Sequence, residues 1–419
     1  MYTRYFKQAL QLLKENPLVS TISVLGTALS IAVILILTLM FQINNAGYAP
    51  ESNRNRMLYV LGIDARGKNN HTRGWMSSEV VKECFYTLHE PEAVTAITSR
   101  ERPVSRPGMR SFKPYNVKYT DAGFWEVFDF TFLHGAPFTG EEFKSGISRA
   151  VISEQLAREL FNTGDAVGQT VLLEQIPFTV CGVVKTVSRA AGMAFADVWV
   201  PYSCKPELVS ASGIAEGMYG SFQIIMLARD RDSFRIIREE LEQQTKRYSE
   251  SKDEFKISFG DSPFSRMDMA TGSDFLTRKP LREYVFNTGG LLLFLLLVPA
   301  LNLTGVIQSS VQKRQAEIGI RKAFGATQGN TMRQLLLENL VSTGIGGVLG
   351  LALSFVFLWL GKPFLLTDAT LITADMLFKP MLFIAVFLFV LLLNCLSAGI
   401  PARQISRKQI VAALKDTTN

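Results

Sequence analysis

The sequence predicts an α+β membrane protein: four transmembrane helices, with a large extracytoplasmic α+β domain inserted between helices 1 and 2. Three observations predict it. Four apolar runs, 18–43, 285–312, 339–361 and 380–402, contain no Asp, Glu, Lys, Arg or His, and each covers the about 20 residues a helix needs to cross the hydrocarbon core. One long polar stretch, residues 44–284, stands between the first two runs and alternates strand-like with helix-like patterns. Finally, the cations gather at one side of the predicted spans. Arg4, Lys7, Lys14, Lys313, Arg314, Arg321, Lys322, Arg333, Arg403, Arg407, Lys408 and Lys415 face only Glu15, Glu317 and Asp416, an excess larger than the whole net charge of +7.

Taken in order, residues 1–17 set Arg4, Lys7 and Lys14 among Tyr5, Phe6, Leu10, Leu12 and Leu13, the pattern of an amphipathic helix lying at the cytoplasmic headgroups. Residues 18–43 form helix 1. The run is longer than the roughly 7–15 residues of a signal-peptide core and no A-x-A-like site follows, so an uncleaved anchor is expected.

Within 44–284, strands are predicted at Met57 (MLYVLGI), Tyr115 (YNVKYT), Arg149 (RAVIS), Thr170 (TVLLEQIPFTVCGVVKTV), Ala196 (ADVWVPY), Phe222 (FQIIMLA) and Phe255 (FKISFG), all rich in β-branched and aromatic residues. A helix starts at the N-cap candidate Ser153, and another after Asp232 puts Phe234, Ile237 and Leu241 on one face. The stretch is long enough for a core of its own, divided into two subdomains.

Residues 285–307 form helix 2, where Pro299 and Asn302 mark a hinge or a static kink. A cytoplasmic loop, 308–334, leads to helix 3 at 335–360, whose Gly344, Gly346, Gly347 and Gly350 let another helix approach closely. A short outer loop, 361–379, helix 4 at 380–402 and a basic cytoplasmic tail at 403–419 complete the chain. Both termini are expected on the cytoplasmic side.

The basic excess follows the membrane face, which argues against nucleic acid as a partner. Cys84, Cys181 and Cys204 lie outside the spans without C-x-x-C spacing, so neither a zinc nor a redox site is expected; one disulfide among them and three free thiols are both open. His71, His89 and His134 stand at no ligand or triad spacing. There is no G-x-x-x-x-G-K-[ST], G-x-S-x-G or H-E-x-x-H motif, so no catalytic residue and no cofactor are assigned to this chain.

The remaining motif is KRQAEIGIRKAFG from Lys313 to Gly325. On a helix it places Glu317 and Arg321 one turn apart, with Ile318 and Lys322 on the adjacent stripe. The longer run QKRQAEIGIRKAFGATQGNTMRQLLLENL resembles the cytoplasmic loop of MacB/FtsX-type ABC transporter permeases. DAGFWEVFDFTFLHGAPFTGEEF, SRAVISEQLARELF and GDAVGQTVLLEQIPFTVCGVVKTV, in that order over 121–187, resemble the MacB-type extracytoplasmic core domain.

The resemblance implies a permease subunit of the bacterial inner membrane that couples ATP hydrolysis to conformational work outside, most simply export of a small molecule or peptide. Lipoprotein release and FtsX-like regulation of cell-wall hydrolases are the alternatives. It further implies that Glu317, Ile318, Gly319, Arg321, Lys322 and Gly325 form a coupling helix docking on an ABC ATPase. That ATPase, a separate subunit because no Walker motif is present here, would hold ATP and Mg. Two permease subunits, identical or homologous, would pair, and a periplasmic adaptor is a further partner in export systems.

Overall fold

The computed structural model describes residues 17–294 apart from short gaps at 46, 69–70, 110–112, 211–216, 253, 288 and 292, and helical residues between 340 and 360 and between 381 and 392. The chain divides into two compact units.

In the helical unit, α1 runs Pro17–Asn45 with no charged residue in its sequence. Its length, about 43 Å at 1.5 Å per residue, exceeds a hydrocarbon core of about 30 Å. Its side chains are described without a break over 24–39. Within residues so described, no helix is long and apolar enough to cross a membrane. Ile31, Ile34, Leu35 and Leu39 of α1 are buried together with Phe383 and Val386, and the Phe355 and Phe383 rings lie 5.7 Å apart. Ser30 and Thr38 donate to the carbonyls one turn back, Gly26 and Ile34, which satisfies both hydroxyls without a polar neighbour.

The second unit, Ile43–Tyr284, is an α+β domain. A 3-10 turn, Arg54–Arg56, leads into β1 (Met57–Val60), followed by β2 (Ile63–Arg66), β3 (His71–Gly74) and α2 (Ser78–Val80), which continues as a π-turn to Phe85. Next come β4 (Ala93–Ser105), β5 (Lys113–Thr120), α3 (Phe124–Val127), β6 (Phe132–Gly135), α4 (Gly140–Lys144), β7 (Arg149–Ser153) and α5 (Glu154–Phe161). The rest is β8 (Thr170–Leu173), β9 (Ile176–Val184), β10 (Val198–Pro201), α6 (Pro206–Val209), β11 (Gln223–Leu227), α7 (Ser233–Glu250), β12 (Lys256–Ser258), β13 (Phe264–Ser265) and α8 (Arg266–Ala270).

The main sheet has the order β13-β1-β11-β4-β5-β10-β7-β9-β6, parallel only at β5/β10 and β7/β9. Strand β8 pairs with both β9 and the far end of β4, Val104 opposite Leu173, so β4, β5, β10, β7, β9 and β8 form a closed circuit. Closure removes edges along that part of the sheet. A small sheet, β12-β2-β3, lies beside α7.

Successive residues of a strand face opposite sides, and here both sides are covered. Leu58, Val60, Ile224, Met226, Val198 and Val200 bury into one core; Met57, Tyr59, Ile225, Leu227 and Trp199 bury into the other. The first core also takes Ile237 and Leu241 of α7, with Phe234 packed against it, the face predicted from the spacing. Ser153 caps α5 by accepting from the Leu156 amide at 3.2 Å, as its place before the apolar run predicts. Asp121 accepts from the Ala96 and Phe124 amides and from Thr95 and Tyr86, tying β4 and β5 to the start of α3.

Cys84, Cys181 and Cys204 are free thiols, which decides the open question in favour of no disulfide among them. His71 meets Asp64 at 2.5 Å and His134 approaches Asp165 at 3.7 Å, pairings that sequence spacing did not reveal. Among the described residues no group of three His, Cys, Asp or Glu is placed to hold a metal ion.

Candidate functional site

The coupling residues Glu317, Ile318, Gly319, Arg321, Lys322 and Gly325, with Pro299 and Asn302, lie outside the described residues. The described part of the chain offers two features that bear on the expected permease role: the glycine face of the 343–357 helix, and the place where the chain joins the α+β domain.

On the helix, Gly346 and Gly350 stand one turn apart, the small-xxx-small spacing that brings helix backbones close. A Cβ at Gly346 would stand 3.0 Å from Thr27 Cβ, and one at Gly350 only 2.6 Å from the Ala28 carbonyl oxygen. Gly347 receives the Phe387 ring, 2.3 Å from an added Cβ, while nothing lies within 4 Å of Gly344. Gly346 and Gly350 therefore admit α1, and Gly347 admits the 383–389 helix.

The chain enters the domain just after α1, through Gly47–Arg56. Residues 50–53 are pinned to the loop after α3: the Asp129 amide donates to Pro50 O at 2.8 Å, and Ser52 donates to the Asp129 carboxylate. Glu51 and Arg54 sit one turn apart with side chains 1% and 2% exposed, and Arg54 Nε donates to Glu51 Oε2 at 2.6 Å. Such a pair is tolerated inside a protein only when its remaining polar atoms are also satisfied.

One loop supplies three of these bonds. Residues 188–196, between β9 and β10, cross the second core as a strap. Glu51 Oε1 accepts from the Met193 and Ala194 amides at 2.9 and 3.0 Å, and Arg54 Nη2 donates to Ala190 O at 2.7 Å. Lys118 of β5 donates to Met193 O at 2.5 Å, and Trp199 Nε1 to Ala194 O at 3.0 Å. Four side chains from three places in the sequence thus hold two successive strap positions, 193 and 194, and one more, 190.

The electrostatics follow from burial. Lys118, 1% exposed, has its ammonium pushed down to about 7 by desolvation, an effect that the Glu51 charge partly offsets. Tyr59, buried on the same face, is raised well above its usual value by desolvation and then by Glu51. Arg266 is lowered by desolvation and by the charge of Arg54, which places it in the same cluster.

Arg266 belongs to the segment by which the chain leaves the domain. Strand β13 pairs antiparallel with β1, Leu58 opposite Ser265 and Tyr59 opposite Phe264. Ser265 then caps α8 through a reciprocal bond with Asp268, and Arg278 pairs with Asp268 at 3.2 Å. The incoming and outgoing chains are therefore adjacent strands, next to the Glu51–Arg54 pair.

Sequence reasoning missed this cluster. The one signal for Glu51–Arg54 was opposite charge at an i,i+3 spacing directly after a span, while Lys118 fell at the position opposite Val117 and Tyr119 where an alternating strand usually meets water.

Comparison with known proteins agrees with the architecture. The family model of the MacB-like periplasmic core domain matches residues 20–244, and that of the FtsX-like permease C-terminal region matches 289–410. The uncharacterized ABC transporter permease YknZ of Bacillus subtilis (strain 168) is 24% identical over 280 residues, 65% of this chain and 66% of that protein. The macrolide export ATP-binding/permease protein MacB 1 of Yersinia pestis bv. Antiqua (strain Antiqua) is 29% identical over 300 residues, 70% of this chain and 42% of that protein. The chain thus spans less than two thirds of the length of the curated relatives it matches. Among solved structures, the periplasmic region of MacB from Actinobacillus actinomycetemcomitans aligns with 47% of this chain and 88% of its own at 17% identity and a TM-score of 0.33. With the core-domain match covering more than half of the residues and the permease match following it, the chain belongs to the family of MacB-like and FtsX-like ABC transporter permeases, membrane proteins with an extracytoplasmic core domain.

Proposed function

We propose that this chain is the permease subunit through which a separate ATPase works on the extracytoplasmic domain, in a pair of such subunits in the bacterial inner membrane. ATP closes the ATPase pair, the 313–325 helix docked on it tilts, and helices 1 and 2 shift together and carry the domain between them. The observation that carries this reading is the antiparallel pairing of β1 with β13, because it makes the two chain segments that flank the domain move as one. The four charge-free runs support it further, since a polar pathway through a membrane ordinarily needs ionisable groups or broken helices facing a cavity.

Export of a small molecule or peptide is the activity this reading favours, with the substrate driven onward from the extracytoplasmic side and no polar substrate passing between the helices, on the likeness to a relative named for macrolide export. ATP and Mg would be held by the ATPase.

The test is a charge swap in the coupling helix. Glu317→Arg with Arg321→Glu keeps an i,i+4 pair worth about 0.2–0.5 kcal/mol, yet should abolish stimulation of the ATPase that copurifies with the tagged chain. Unchanged complex yield with unchanged stimulation would refute docking through these charges.

A further inference from the structure

The Glu51–Arg54 pair does more than satisfy a turn. In the sheet, β1 and β10 are separated by β11, β4 and β5, so a displacement of the incoming chain that travelled only through the strand ladder would cross three strands before reaching β10. The strap offers a shorter path. It is the connection between β9 and β10, both members of the closed strand circuit, and its amides and carbonyls at 190, 193 and 194 are held by the two residues of the incoming turn.

Pulling that turn away from the strap would take from the buried Glu51 carboxylate the two amides it accepts from, and from Arg54 the Ala190 carbonyl, at a cost in free energy because the two side chains are only 1% and 2% exposed. The turn and the strap are therefore obliged to move together. Lys118 and Trp199 grip the same strap from β5 and β10, so the motion is handed to the circuit and not absorbed by a loose loop. The outgoing chain is joined to the incoming one by the β13–β1 pairing, Tyr59 opposite Phe264.

We propose that Glu51 and Arg54 are a force-bearing clamp that passes displacement of the two flanking helices directly to the 188–196 strap and through it to the β9–β10 side of the domain. The proposal rests on the mechanical reading above and assigns residues to it.

The experiment uses the full chain in complex with its ATPase, isolated from native membranes through a tag and compared with ADP and with ATP trapped by vanadate. Hydrogen exchange is followed at the amides of 47–56 and of 188–196. In the natural protein both segments should differ between the two nucleotide states. In Glu51→Leu with Arg54→Met, which removes both charges and keeps apolar volume, the difference at 47–56 should persist while that at 188–196 falls at least threefold. Arg54→Lys, which keeps the charge but not the guanidinium that bonds Glu51 and Ala190 together, should give an intermediate loss and serves if the double variant does not fold.

Nucleotide-dependent differences of natural size in both segments of either variant would overturn the clamp and leave the mechanical reading standing. Absence of any difference at 47–56 in the natural protein would refute the mechanical reading itself, and the clamp with it.

Discussion

Lys118 is a buried cation whose ammonium titrates near neutrality, about 7 against 10.5 for a free lysine. Between those values the unfolded chain binds more protons than the folded one, so stability should rise with pH across that window, by at most about 1.4 kcal/mol per pH unit. Below pH 7 both states are charged and the full cost of burying the ammonium is present. Lys118→Met should therefore flatten the pH dependence of thermal unfolding between pH 7 and 10, measured on the full chain in detergent; an unchanged slope would show that Lys118 does not carry it. This residue also shows where sequence reading stops. In YNVKYT, Val117 and Tyr119 were legible as core, but Lys118 reads as solvent-facing unless one knows that a strap and a second core cover the other side of the sheet. The Glu51–Arg54 turn was hidden for the same reason, because its partners are backbone groups some 140 residues along the chain.

At the scale of elements, legibility followed local signals. The helix starting at Ser153 was readable because a small hydroxyl residue stands between an apolar strand and an amphipathic run, and the structure places the cap there. Ser153→Ala should lower the stability of the full chain by about 1 kcal/mol, seen as a reduced denaturation midpoint; no change would mean that the α5 amide has another partner. Strand β4 was not readable. Its first half, Ala93–Thr98, is largely buried, but Ser99–Glu101 and Pro103 are exposed, so the charges of Arg100, Glu101 and Arg102 break the apolar pattern that announces a strand. Its pairing with β11 over Ala93–Ile97, with β5, Pro103 opposite Pro114, and with β8 at Val104 and Ser105 keeps it extended for 13 residues. In the helical unit, the GIGGVLG run announced close packing, and Gly350 has the least room against α1. Gly350→Val should force that contact apart, since an added Cβ would stand 2.6 Å from Ala28 O. Disulfide yield between cysteines placed at Thr27 and Gly346 should then fall severalfold; an undiminished yield would show that the helices accommodate the side chain.

For the whole molecule, the α+β class of the domain and the family were legible, because the order of motifs over 121–187 and the 313–325 run survives without any knowledge of contacts. What was not legible is how the domain is fastened: the pairing of β1 with β13, the closure of the strand circuit by β8, and the strap held by the incoming turn are all contacts between distant segments. Those contacts all lie within the domain and brace the segments by which the chain enters and leaves it. The most direct measurement of this account reconstitutes the permease with its ATPase in sealed proteoliposomes, ATPase side outward, with cysteine pairs reporting crosslinking within the extracytoplasmic domain and a labelled polar peptide supplied outside. The account predicts that crosslinking yields in the domain change with ATP while no peptide accumulates in the lumen. ATP-dependent accumulation of the peptide with unchanged crosslinking yields would contradict it.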